Sequence, residues 1–263
     1  MSSLPSHIPE TLIETDTVGL VRNTVRMARD LGVTMHIVGR PGTGKTSALW
    51  HIAQEFNGTY VEIDGAHKKI KGMLELLLQS KRLWDREQHT TQLADAVQRA
   101  FQPRHTIVEG AGWEYVPQLL IVDEVQTLEA TAVRELVRIQ ERCQLALVIA
   151  GNEERLAGTN KEIDTLEQNE RRIAARCVLP GPSKRDCELI GASFNVEGKD
   201  AYAFVVEYGL ATNFGDLNYL LTFAERLTGG VVGIRLNHLL DAHRLIGKNL
   251  KFNKELGRRK GAA

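Results

Sequence analysis

At 263 residues, with 43% hydrophobic and 25% charged residues, the chain can build one large core, or a main domain with a smaller appendage. Its 33 lysines and arginines balance 33 aspartates and glutamates, so no long-range positive field draws the whole molecule to nucleic acid. Any DNA contact must then be local, or assembled from many subunits. The three cysteines, Cys143, Cys177 and Cys187, lack CxxC spacing, which argues against a disulfide framework and a zinc site. No apolar window reaches the length of a membrane helix, and MSSLPSHIPETLIETD lacks the basic leader and apolar block of a secretory signal. A soluble, cytoplasmic protein is expected.

In chain order, Val18, Val21, Val25 and Ala28 fall at helical spacing over 17–30 and lead into a short strand at 33–38. VGRPGTGKTS follows, and SALWHIAQEF reads as the helix after it. Four further apolar, β-branched runs are TYVEI (59–63), QLLIV (118–122), LALVIA (145–150) and RCVLP (176–180). Helical patterns lie between them near 66–83, 90–101, 129–142 and 161–174. Five strands alternating with helices predict an α/β fold, a parallel sheet covered on both faces. After LPGPS the pattern changes to amphipathic helices near 184–193, 198–208, 215–228 and 233–250, with no convincing strand. The expected division is an α/β domain over 1–180 and a helical domain over 181–263.

Gly39, Gly44, Lys45 and Thr46 fit the phosphate-loop pattern GxxxxGK[ST], with a strand before and a helix after. Arg40, Pro41, Gly42 and Thr43 fill the intervening positions, and Ser47 follows. Glycines let successive backbone N–H groups turn inward on phosphate oxygens, and a helix starting near Lys45 adds the positive end of its dipole. Lys45 would reach the β and γ phosphates, and Thr46 would ligate magnesium. ATP and Mg2+ are the expected cofactors.

A phosphate loop alone does not separate a kinase from an ATPase, so LLIVDEVQ at 119–126 carries the next step. Its apolar run ends in Asp123 and Glu124, two carboxylates at the carboxyl end of a strand, where ligands of open parallel sheets sit. Asp123 suits holding the magnesium, and Glu124 suits a base that aligns and activates water. The competing reading is that Asp-Glu simply opens the helix over 129–142. Water as acceptor favours hydrolysis. Asn152, after the strand LALVIAG, would orient the same water.

With these residues the chain resembles an AAA+ ATPase: Walker A at 39–46, Walker B at 119–124, sensor 1 at Asn152 and a helical lid from about 181. That resemblance implies an arginine finger reaching a neighbouring subunit's site. Arg176 is the first candidate and Arg172 the second, beside Arg171, against surface arginines pairing with Glu167 and Glu170. NFGDLNYLL resembles the sensor 2 helix, but Asn218 stands where the arginine is expected, so that contact is lost or supplied by Arg226 or Arg235.

The entry segment LIETDTVGLVRNTVRMARDLGVTMHIVGRPGTGKT is similar to the transposition regulators of the MuB, TnsC, TniB and IstB group. This implies a homo-oligomer, ring or helical filament, that holds duplex DNA without sequence preference and delivers it to a transposase in a bacterial cytoplasm or nucleoid. Lys68, Lys69 and Lys71, at the start of a helix whose Ile70, Met73, Leu74 and Leu77 face inward, would contact phosphates. A solvated helix face is the alternative. The basic tail with Arg244, Lys248, Lys251, Arg258, Arg259 and Lys260 reads as helix-end cations, or as a surface for DNA or a recombinase. His238, Asp241 and His243 do not share a helical face for a metal, and no GxSxG elbow is present. A replication loader or initiator, and a nucleotide-switched secretion or signalling scaffold, are the rival functions.

Overall fold

The computed structural model describes residues 5, 8–84, 89–108, 112–152, 171–229 and 232–247. Its first helix, α1 (Asp16–Leu31), buries Val18, Val21, Val25 and Ala28, the spacing expected of one helical face. The strand β1 (Thr34–Val38) follows, buried along its whole length, and the helix α2 (Lys45–Glu55) starts at the loop lysine itself. Then come β2 (Thr59–Glu62), α3 (Ile70–Ser80) and α4 (Thr90–Ala100). An antiparallel pair, β3 (Arg104–Val108) and β4 (Gly112–Val116), precedes β5 (Leu119–Asp123). The helix α5 (Ala130–Cys143), β6 (Ala146–Gly151) and β7 (Ile173–Val178) complete the α/β part.

Five strands form one sheet in the order β2-β5-β6-β1-β7, every pairing parallel. The three central strands are buried at every position, as a parallel sheet with both faces covered requires. Leu120 and Val122 of β5 and Leu147 and Ile149 of β6 join Leu74 and Leu77 of α3 and Val133 and Leu136 of α5 in a single core cluster. The fold is an α/β P-loop NTPase sheet flanked by helices, as expected.

Two details differ from the pattern-based reading. The antiparallel pair β3–β4 is not among the expected strands, because neither carries the unbroken apolar run that marks the central strands. Residues 173 and 174, expected to end a helix, are already strand, because β1 supplies hydrogen-bonding partners from Thr34 onward. Residues 161–170 of that expected helix lie outside the described residues.

The chain divides into two compact units. The first contains Met1–Leu12, Leu20–Arg40 and Lys45–Leu179; the second contains Ile13–Gly19, Pro41–Gly44 and Pro180–Ala263. Four helices make the described body of the second: α6 (Lys184–Ser193), α7 (Lys199–Ala211), α8 (Phe214–Leu227) and α9 (Leu236–Ile246). Ser183 and Asp186 form a capping box that starts α6, and Asn213 caps α8 by accepting from Asp216 N–H at 2.9 Å. One isolated parallel bridge, Val196 to Ile234, is the only strand-like pairing among the described residues of this unit.

Candidate nucleotide site

Sheet order brings the chemistry together. Because β6 lies between β1 and β5, the residues leaving the carboxyl ends of these three strands are neighbours. Val38, which enters the loop, is in register with Gly151, and Val122 is in register with Ile149. Asn152 therefore emerges between the phosphate loop and the acidic pair, which is why distant stretches of sequence meet here.

The loop has the backbone such a role demands. Gly42 and Gly44 hold φ of +82° and +74°, a region that side chains rarely adopt. Gly39 N–H donates to Gly151 carbonyl at 3.1 Å, tying the loop's first residue to β6. Thr43 and Lys45 are buried, Thr46 and Ser47 are half-buried in the first turn of α2, and Arg40, Pro41 and Gly42 are exposed. Lys45 Nζ donates to Asn152 Oδ1 at 3.0 Å. Buried at the start of α2 beside a neutral amide, Lys45 is placed to meet an anion.

Asp123 is fully buried, and its carboxylate is met by three donors. Glu124 N–H reaches Oδ1 at 2.8 Å, while Thr46 Oγ1 at 2.7 Å and the Tyr60 hydroxyl at 3.3 Å both reach Oδ2. A buried carboxylate needs such partners in place of the water it has lost. Burial, with the Asp123 charge beside it, drives the Tyr60 hydroxyl well above its ordinary pKa, so Tyr60 stays a donor. Thr46 and Asp123 present only oxygen, the donor chemistry of a hard cation such as magnesium.

Glu124 is half-buried and sits in the left-handed region, φ 56° and ψ 35°. It precedes a 3-10 turn over Val125–Thr127, and α5 begins only at Ala130, so the acidic pair does not open that helix. Its carboxylate accepts from Gln126 Nε2, and Gln126 Oε1 accepts from Asn152 N–H at 3.3 Å. Tyr60 and Gln126 escaped the reading of the sequence. In the sequence Tyr60 is only part of the strand TYVEI, and Gln126 only the last residue of LLIVDEVQ.

Arg172 is exposed and pairs with Glu141 at 2.9 Å. Arg176 is exposed on the outer strand β7, in register with His36, and Arg171 is exposed just before that strand. Lys68 and Lys69 are exposed ahead of α3, whereas Lys71 is half-buried and lies 3.9 Å from Glu75. In the second unit Asn218 and Arg226 are exposed on α8, and Arg235 lies 3.3 Å from Glu197. Lys248, Lys251 and the arginines at 258 and 259 lie outside the described residues. No described group of histidine, cysteine and carboxylate side chains has the arrangement of a metal centre, and no described helix is long and apolar enough to cross a membrane.

Residues 32–158 match the AAA domain family. The chain is 24% identical over 195 residues to the ATP-dependent target DNA activator B of Escherichia phage Mu, covering 73% of this chain and 58% of that protein. It is also 24% identical over 196 residues to its namesake from Escherichia phage D108, covering 73% and 59%. The matches thus span less than two thirds of either relative. Among solved structures, the Aeropyrum pernix ORC2 protein in its ADP form superposes with a TM-score of 0.63 at 14% identity, over 91% of this chain and 70% of that one. The ADPNP-ADP complexes of that protein give 0.63 at 15%. At such identities the likeness to ORC2 is one of fold.

Proposed function

We propose that this AAA-domain protein, similar at low identity to phage target-DNA activators, is a magnesium-dependent ATPase that self-associates on duplex DNA and presents it to a transposase. The observation that carries the enzymatic part is the convergence of Lys45, Thr46, Asp123, Glu124 and Asn152 at the carboxyl end of one parallel sheet.

Each residue has a chemical task. The loop N–H groups and Lys45 bind the β and γ phosphates, where Lys45 exchanges a neutral acceptor for an anionic one. Thr46 and Asp123 hold magnesium, which when bound neutralises charge on the phosphate oxygens. Glu124 orients water for in-line attack on the γ phosphorus and takes its proton. Asn152 keeps the lysine in line and is placed to steady the same water. Strain at Glu124, a non-glycine residue with positive φ, is a feature that functional sites retain when surrounding structure over-determines it.

Arg176, exposed on the outer strand β7, is assigned as the finger that completes the site of an adjacent copy, with Arg172 second. Lys68 and Lys69 are assigned to DNA phosphates. Phosphate contacts do not read sequence, so target choice would be non-specific.

The enzymatic assignment is tested with Glu124→Gln in the full chain. ATP affinity, followed with a fluorescent analogue, should stay within about threefold, while turnover falls by about 100-fold or more, the scale of general-base loss. Hydrolysis at the wild-type rate would remove Glu124 from the mechanism.

A further inference from the structure

We propose that Gln126 is a positioning residue that fixes the carboxylate of Glu124 relative to Asn152, so that the base and the polar residue beside the lysine are set by a single amide. The proposal rests on the assignment of Glu124 as the base.

Gln126 lies in the 3-10 turn that follows Glu124, and this turn folds its side chain back over the preceding carboxylate. Its amide orientation is chemically unambiguous. A carboxylate can only accept, so Nε2 faces Glu124; a backbone N–H can only donate, so Oε1 faces Asn152. With the bond from Lys45 to Asn152 at 3.0 Å, the result is a continuous connection, Lys45 to Asn152 to Gln126 to Glu124. It joins the phosphate-binding lysine to the water-activating carboxylate.

A second observation points to the same amide. Gly151, the last residue of β6, is where a Cβ would come 2.6 Å from Gln126 Oε1 and 3.3 Å from Val125 Cγ1. With any other residue there, the end of the Gln126 side chain would have to shift. The glycine is not required by its own backbone, since its φ is not among the positive ones. Its missing side chain leaves the space that the end of the Gln126 side chain occupies.

Among the described residues, Gln126 is the side chain that restrains the Glu124 carboxylate. Glu124 makes no side-chain bond to the turn it caps, and its backbone conformation is one that most residues avoid. A carboxylate so placed needs a local restraint to stay aligned on water, and a displacement of about 1 Å at a reacting group can cost about 100-fold in rate.

The test uses the full chain and four variants: Gln126→Ala, the isosteric Gln126→Glu, Glu124→Gln, and the Gln126→Ala/Glu124→Gln pair. Gln126→Glu keeps an acceptor for Asn152 N–H but sets a like charge against Glu124. Single-turnover hydrolysis, steady-state kcat and KM, and affinity for a non-hydrolysable ATP analogue are measured on each. Gln126→Ala and Gln126→Glu should lower kcat by about 10- to 100-fold, with analogue affinity within about twofold of the wild type. In the Glu124→Gln background, Gln126→Ala should add no further loss, because the two act as one unit. Unchanged or raised kcat in Gln126→Glu, a full additive loss in the pair, or equal loss of nucleotide affinity would overturn the proposal while leaving the base assignment standing. Wild-type hydrolysis by Glu124→Gln would overturn both.

Discussion

Asp123 shows how much of this site is decided atom by atom. Both its oxygens are engaged, and Oδ2 is shared by Thr46 and Tyr60. For Thr46 to hold a metal through its oxygen, the hydroxyl proton must keep pointing at Asp123, and Tyr60 helps keep that carboxylate from turning away. Tyr60→Phe removes one hydroxyl and no packing. It should weaken Mn2+ binding to the nucleotide complex by about 10-fold, the low end for loss of a partner that orients a metal's ligands. Electron paramagnetic resonance titration of Mn2+ reads this directly, and unchanged affinity would reduce Tyr60 to a strand residue.

Among the elements, α7 illustrates how close packing outweighs intrinsic preference. Gly209 lies in the helix interior, where replacing it by alanine would ordinarily gain about 1 kcal/mol of helix propensity. Here the added Cβ would land against Cys187 Sγ of α6, inside van der Waals contact, and 3.1 Å from Leu217 of α8. Overpacking of a tight core costs about 1–3 kcal/mol. Gly209→Ala should therefore destabilise the helical unit, seen as a lower urea midpoint, and Cys187→Ala in the same chain should recover most of the loss. A raised midpoint in the single variant would mean that the helices separate freely.

The same elements show what could be read in advance. LLIV and LALVIA are apolar without interruption because central parallel strands meet helices on both sides, so their identity was legible, and the runs 118–122 and 145–150 each lie one residue ahead of the observed strands. The loop was legible because glycine spacing encodes its backbone. Tyr60 and Gln126 were not, since their roles come from strand register and from a turn that no periodicity announces. Nor was the β3–β4 pair. No unbroken apolar run marks its strands, RHTIV and GWEYV.

For the molecule as a whole, the equality of acidic and basic residues constrains any account of DNA binding. The proposed DNA contact offers Lys68 and Lys69 from one copy, exposed, with Lys71 3.9 Å from Glu75, so its affinity per copy would be low. Repetition along a stack of copies converts weak contacts into an avid one. Replacing the three lysines by alanine should weaken binding equally on unrelated duplexes and flatten its salt dependence, with Lys68 and Lys69 carrying most of the effect. Fluorescence anisotropy across a salt series checks this, and an unchanged slope would place the contact on another surface.

If the triphosphate governs assembly, then blocking its hydrolysis must preserve whatever it assembles. Sedimentation velocity of the wild type and of Glu124→Gln, each with Mg·ATP and a long duplex, measures that most directly. The account predicts large protein–DNA species in both at first, dissolving in the wild type as ATP is consumed and persisting in Glu124→Gln. A protein that sediments as a monomer apart from the duplex, while saturated with Mg·ATP, would contradict it.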